Sequence, residues 1–166
     1  MSKNTYLVVG GGGFIAGHLI KRLLNEGNTV IATDIKPKQF WFQTFDEVKS
    51  YADMDMKDYD NCLKVTKGVD YIFNMACNMG GMGFIENNKA ECMLSVLINT
   101  NLLRASLENK VKKYVTVKLN QYQFDALVCM VYNVSTAHFI EMIENSGLNK
   151  GNYEKVPESM MAYNQS

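Results

Sequence analysis

Four consecutive glycines, Gly10 to Gly13, follow the apolar run Tyr6 to Val9 and precede the apolar-periodic run Phe14 to Leu24. Strand, glycine turn and helix in that order can hold a dinucleotide. One glycine lets the chain turn at positive φ. Another, lacking Cβ, lets backbone N–H groups approach a pyrophosphate, and the positive end of the helix faces the phosphate charge. Two spacings fit, Gly11-x-Gly13-x-x-Ala16 and Gly10-x-x-Gly13-x-x-Ala16, and the small third residue allows the helix to pack closely on the sheet. Asp34 ends the next apolar run, Thr29 to Thr33, roughly twenty residues after Gly13. A carboxylate there accepts hydrogen bonds from both hydroxyls of an adenosine ribose. It also repels a 2′-phosphate, which favours NAD over NADP. Lys36 pulls the other way, since a cation there tolerates that phosphate.

Two further stretches offer ligand contacts. Asp55-Met56 follows a predicted third strand near Tyr51 to Met54. Asp55 can meet an adenine amino group, or it is simply solvated among Asp53 and Asp58. The fourth apolar run, Tyr71 to Ala76, leads into Cys77-Asn78-Met79-Gly80-Gly81-Met82-Gly83-Phe84-Ile85. In an open α/β sheet, ligands sit at the carboxyl ends of the strands, so Gly80, Gly81 and Met82 are placed to line a site. His18 and His138 have no evident partner and read as surface or packing residues.

The elements that position these residues alternate between strand and helix periods. Phe14, Leu19, Ile20, Leu23 and Leu24 share one side of the first helix, and Gly27 stops it. Phe40, Trp41, Phe42 and Phe45 are expected to cover the core from a loop over 37–50. Asp58 to Thr66 reads as a helix, Gly68-Val69-Asp70 as a turn, and Tyr71 to Ala76 as a strand buried on both faces. A long helix over Lys89 to Glu108 and a fifth strand, Tyr114 to Val117, follow. Ala126 to Val134 reads as another buried strand, and Ser135 or Thr136 as the cap of a helix through Asn145.

The 166 residues are most simply one domain. Seventeen basic and seventeen acidic residues cancel, so the charge gives no reason to expect nucleic acid or an anionic membrane. No apolar run approaches the roughly 20 residues of a membrane span, and no signal-peptide pattern precedes the first strand. Cys62, Cys77, Cys92 and Cys129 form no C-x-x-C pair and no zinc or other metal cluster, which suits reduced thiols in a cytoplasmic protein.

Asn61 to Asp70, Phe73 to Ala76, Met79 to Ile85 and Gly10 to His18 closely resemble the GDP-mannose 3,5-epimerase type of the NAD-dependent epimerase/dehydratase family, the extended short-chain dehydrogenase/reductases. The resemblance runs from about residue 5 to 117 and includes Ala16 where most relatives carry Gly. It implies an α/β fold, a Rossmann-type doubly wound parallel sheet, truncated here and without the C-terminal substrate lobe. It implies NAD as cofactor. Gly10, Gly13 and Ala16 would form the pyrophosphate turn with Phe14 and Ile15 beside it. Asp34 would hold the ribose with Lys36 nearby, Asp55 and Met56 would flank the adenine, and Ala76 and Cys77 would lie along the cofactor. Gly80, Gly81 and Met82 would contact a sugar nucleotide, GDP-mannose by resemblance. Asn101 matches a structural helix Asn, and a homodimer is possible.

The chemistry implied is transient oxidation at C4 of the sugar, epimerisation at C3 and C5, and re-reduction. The chain departs from the pattern where that chemistry is done. Val9 replaces a usual Thr, and Cys77-Asn78 a usual Ala-Asp. After Val117 the Ser pair, the acid–base Cys and the Tyr-x-x-x-Lys pair do not appear in register. Cys129 sits in a displaced echo of that stretch. Tyr114 and Lys118 have the right spacing, but on a strand they would lie about 13 Å apart rather than one helical turn. Tyr163 has no residue four positions on. The expected organisation is an NAD-binding domain over 1–118 and a diverged extension over 119–166, with one more strand–helix unit and an irregular tail. No catalytic residue is assigned. Two other readings stay open: a non-catalytic nucleotide-sensing or interaction module, and a methyltransferase using S-adenosylmethionine.

Overall fold

The computed structural model describes residues 3–78 and 81–163. Its contacts divide the chain into two compact units, Met1–Ser106 and Leu107–Ser166.

The first unit is a parallel sheet covered on both faces. Strands β1 (Thr5–Val9), β2 (Thr29–Thr33), β3 (Lys49–Tyr51) and β4 (Tyr71–Asn74) lie in the order β3-β2-β1-β4. All three pairings are parallel, with Leu7 opposite Ile31 and Ile72. Side chains alternate between faces along a strand, so β1 feeds two cores. Val8 joins Val30, Ala32, Trp41 and Val48 beneath α1 (Phe14–Asn25), which contributes Ala16, Ile20 and Leu23. Leu7 and Val9 join Met56, with Cys62 and Val65 of α2 (Tyr59–Val65), on the opposite face. Leu102 and Ala105 close that core from α4 (Lys89–Tyr114), which follows the short α3 (Met82–Asn87).

The second unit is helical. Helix α5 (Gln121–Asn133) turns Leu127, Met130 and Val131 inward. Helix α6 (Thr136–Ser146) adds Phe139, Met142 and Ile143, and α7 (Val156–Met161) follows two one-turn 3-10 helices. Phe139, Met142 and Leu148 are at most 1% exposed, so this unit has its own core.

Several sequence expectations are corrected. Ala126 to Val134 lies within α5 and its C-cap, so residues 119–166 contain no strand–helix unit among the described residues. The cause is local: Asn120 and Gln123 form a reciprocal capping box, Asn120 Oδ1 accepting the Gln123 N–H at 2.9 Å. The expected fifth strand does not form either. Helix α4 runs through Tyr114, and the Asn149 side chain then donates to the Tyr114 carbonyl and accepts from the Thr116 N–H, both at 2.9 Å. One carboxamide thus takes the hydrogen bonds a neighbouring strand would take. Strand β4 is consequently a sheet edge, and Tyr71 and Phe73 are exposed rather than buried on both faces. The third strand is Lys49–Tyr51, because Asp53 turns the chain at φ 54° where a strand was expected. Trp41 is buried and Phe45 packs on the core, but Phe40 and Phe42 are exposed. Phe42 meets Phe14 and His18 at the surface, with ring centroids 4.6 and 5.5 Å apart.

Gly10 and Gly27 share a left-handed backbone, φ 79° and 80°, in different surroundings. A Cβ at Gly10 would stand 2.9 Å from the Met75 carbonyl carbon and the Ala76 nitrogen, whereas one at Gly27 meets nothing within 4 Å. Gly27→Ala should therefore cost only the left-handed penalty, about 1 kcal/mol. Gly10→Ala adds backbone overlap and should cost about 3 kcal/mol or more. Urea unfolding of both variants checks this; equal losses would show that the contact between Gly10 and Met75–Ala76 is not tight.

Candidate nucleotide site

Parallel pairing brings the carboxyl ends of all four strands to one rim. A cavity of about 600 Å³ lies along it, and Gly10, Gly13, Asp34, Lys36, Asp55, Met56, Ala76 and Cys77 all line it. These are eight of the residues singled out from the sequence.

The glycine turn is held by the end of β2. Gly10 and Gly11 donate their N–H groups to the Thr33 carbonyl at 2.8 and 2.9 Å. Gly12 N–H donates to Asp34 Oδ2 at 2.9 Å, and Gly13 N–H to the Gly10 carbonyl at 3.0 Å. The glycine amides are therefore already engaged. Gly13 is the N-cap of α1, with no side-chain cap. The N–H groups of Phe14, Ile15 and Ala16 stand in the first turn, with no carbonyl one turn back to receive them. They are the amides available to an anion, with the helix dipole behind them. A Cβ at Gly13 would touch only the Gly10 carbonyl, at 3.3 Å.

Phe14, Ile15 and Ala16 contribute no lining side chain to the cavity. The first two point to solvent, 62% and 67% exposed, and Ala16 packs into the core.

Asp34 is 8% exposed. Oδ2 receives Gly12 N–H and Oδ1 receives Lys36 N–H, each at 2.9 Å. Both oxygens are fixed, and each keeps a lone pair. Asp55 Oδ1 accepts the Lys57 N–H at 2.8 Å, while Oδ2 lies 3.4 Å from Lys57 Nζ. Asn101 donates to the Lys57 carbonyl at 2.9 Å, which ties α4 to this loop and gives that Asn a structural role. Met56 offers its carbonyl to the Cys62 thiol at 3.1 Å. Burial, with Asp58 and Asp55 close by, pushes the Cys62 thiol up to about 11.

Gly81 caps α3, a Cβ there would meet nothing, and Met82 is 73% exposed; neither lines the cavity. Gly80 lies outside the described residues. Asn78 falls in the stretch expected to line a site, whereas Glu91, Leu94, Ser95 and Ile98, which close the cavity beyond β4, were not singled out from the sequence. Their signal was present: 91, 94, 95 and 98 fall on one helical face.

The Tyr-x-x-x-Lys geometry is absent at both candidates. Tyr114 ends α4 rather than lying on a strand, and Lys118 falls outside the helix, its carbonyl accepting the Tyr153 hydroxyl at 2.9 Å. Burial and the Glu141 carboxylate raise the Tyr163 phenol, opposite to what an acid–base Tyr needs. His18 packs edge-on against Phe14, and His138 lies against Tyr163.

A glycine turn at the helix N-terminus and a carboxylate ending the next parallel strand define a Rossmann-type nucleotide site. The model of the NAD dependent epimerase/dehydratase family matches residues 6–118, and the chain belongs to that family. This removes the methyltransferase reading. GDP-mannose 3,5-epimerase 1 of Oryza sativa subsp. japonica is 41% identical over 108 residues, covering 64% of this chain and 28% of the rice protein. GDP-mannose 3,5-epimerase of Arabidopsis thaliana is 41% identical over 110 residues, with the same coverage. The chain thus spans 28% of the length of these relatives. Among solved structures, Pen from Bacillus thuringiensis aligns with TM-score 0.58 and 22% identity over 67% of this chain and 36% of its own. UDP-glucose 4-epimerase of Thermus thermophilus, solved in complex with NAD, aligns with TM-score 0.55 and 20% identity over 64% of this chain and 35% of its own. These likenesses show the fold.

The four thiols are free but differ in surroundings: Cys77 and Cys129 are exposed, Cys92 is half-buried and Cys62 is buried. Iodoacetamide at pH 8 should modify Cys77 and Cys129 in the folded protein and Cys62 only after unfolding, as peptide mapping will read. A folded thiol raised from 9.0 to about 11 favours the fold below pH 9 and loses that contribution as pH rises to about 11. Stability should fall across that window in the wild type and fall less in Cys62→Ala; parallel profiles would contradict this.

Proposed function

We propose that this chain binds NAD along the strand rim, as the cofactor half of a sugar-nucleotide epimerase of the GDP-mannose 3,5-epimerase type. The observation that carries this is the pairing of a pinned Asp34 carboxylate with Gly13, the N-cap that opens α1, at one cavity. The residues fit the cofactor. Asp34 accepts the adenosine ribose hydroxyls, Asp55 and Met56 flank the adenine, and Lys36 stands beside them. The N–H groups of Phe14, Ile15 and Ala16 meet the pyrophosphate across Gly13, with Gly10 shaping the turn. Ala76 and Cys77 run along the remainder, and by resemblance Gly80, Gly81 and Met82 are the residues that would contact the sugar nucleotide. Bound NAD supplies hydride acceptance from a sugar carbon and its return.

The relatives' names support GDP-mannose as the sugar nucleotide. We propose that the 166 residues alone do not complete an epimerase cycle, since Tyr114 and Lys118, which have the right spacing, do not share a helix: α4 ends at Tyr114. The domain reading follows: cofactor binding belongs to 1–118, of which Met1–Ser106 form the first compact unit, and 119–166 is a diverged extension. A non-catalytic nucleotide-binding module is the second reading, favoured by the same missing pair. Unpaired thiols suit a cytoplasmic setting. The exposed Met93, Val96 and Leu97 of α4 suit a homodimer, which light scattering will read as a doubled mass.

Gly13 has φ −80°, so Gly13→Ala keeps an ordinary backbone and fills the phosphate approach. It should hold the melting temperature within a few degrees and weaken NAD binding by about tenfold or more in calorimetry. NAD should also slow alkylation of Cys77 and leave Cys129 unaffected. No NAD binding at millimolar concentration overturns the cofactor reading. Conversion of GDP-mannose to its epimer by the chain alone overturns the claim of incompleteness.

A further inference from the structure

The cavity has a second polar end that Asp34 and the glycine turn do not use. Beyond β4, the Asn78 side chain donates to Glu91 Oε2 at 2.8 Å, and the Asn78 N–H donates to Ser95 Oγ at 3.2 Å. Glu91 and Ser95 stand one turn apart on α4, and both border the cavity together with Asn78. We propose that Glu91 accepts the hydroxyl pair of the second ribose of a bound dinucleotide and that Asn78 holds its carboxylate for that contact. The inference rests on the NAD reading above.

Sheet order carries the placement. Strands β2 and β3 lie on one side of β1 and β4 on the other. With the adenosine half at Asp34 and Asp55 and the pyrophosphate at the first turn of α1, the other half of a dinucleotide runs over the end of β4. A ribose there presents two adjacent O–H donors, and a carboxylate is the side chain that accepts both. Asp34 meets the same need with its oxygens fixed by Gly12 and Lys36. Glu91 mirrors it: Asn78 fixes Oε2, and Oε1 has no bonding partner among the described residues. The chain carries Asn78 where the family pattern has Asp, so the carboxylate at this end comes from α4.

ADP and ADP-ribose separate the contact, because they share the adenosine and pyrophosphate and differ by the second ribose. In calorimetry the wild type should bind ADP-ribose more tightly than ADP. Glu91→Gln keeps the shape and should weaken ADP-ribose about tenfold while ADP stays within about twofold. The sign is diagnostic, since removing a negative charge near an anionic ligand would by itself strengthen binding. Glu86→Gln, on α3, should change neither ligand. An unchanged ADP-ribose to ADP ratio in Glu91→Gln overturns the proposal. Failure of the wild type to bind either ligand overturns the dinucleotide reading and this inference with it.

Discussion

The end of one strand holds the turn that follows another. The carbonyl of Thr33 and the carboxylate of Asp34 receive the N–H groups of Gly10, Gly11 and Gly12 in succession. Those bonds lock the strand-to-helix turn against β2. They leave no room for side chains: a Cβ at Gly11 would reach Ala32 Cβ at 2.8 Å, and one at Gly12 would reach Trp41 at 2.7 Å. The glycines here are thus spent on packing and on the turn. The amides left for the proposed anion contact are those one step along, at the opening of α1. Asp34 anchors the turn, and its carboxylate keeps lone pairs for the ligand role proposed for it.

The first unit was legible because its residues obey local rules that tertiary structure reinforces. Alternating burial of Leu7, Val8 and Val9 follows from a sheet covered twice. The stop at Gly27 falls where expected, and Asp58 caps α2 by accepting the Asp60 N–H. The Asp34 position depends only on strand length and turn length. The second half of the cavity was harder to read. Glu91 and Ser95 share a helical face with Leu94 and Ile98, but they are polar and thirteen or more residues from Asn78, so the spacing did not tie that face to the end of β4.

Residues after Ser106 misled for a different reason. Val115, Val117 and the run from Ala126 to Val134 are β-branched or apolar, and short apolar runs fit a buried strand or a buried helix equally well. The decision fell to single polar residues. Asn120 with Gln123 starts α5, and Asn149 satisfies the backbone around Val115. The open β4 edge is the consequence for the sheet. With it goes the segment that, in the family pattern, carries the hydroxyl and acid–base residues.

In the proposed complex a phosphate sits at the first turn of α1. Amide shifts followed by nuclear magnetic resonance during NAD titration test it directly. The amides of Phe14, Ile15 and Ala16 should move and gain protection from exchange, while those of Gly10 and Gly11, bonded to Thr33, stay in place. Movement at Gly10 and Gly11 with none at the first turn of α1, or no movement at saturating NAD, would contradict it.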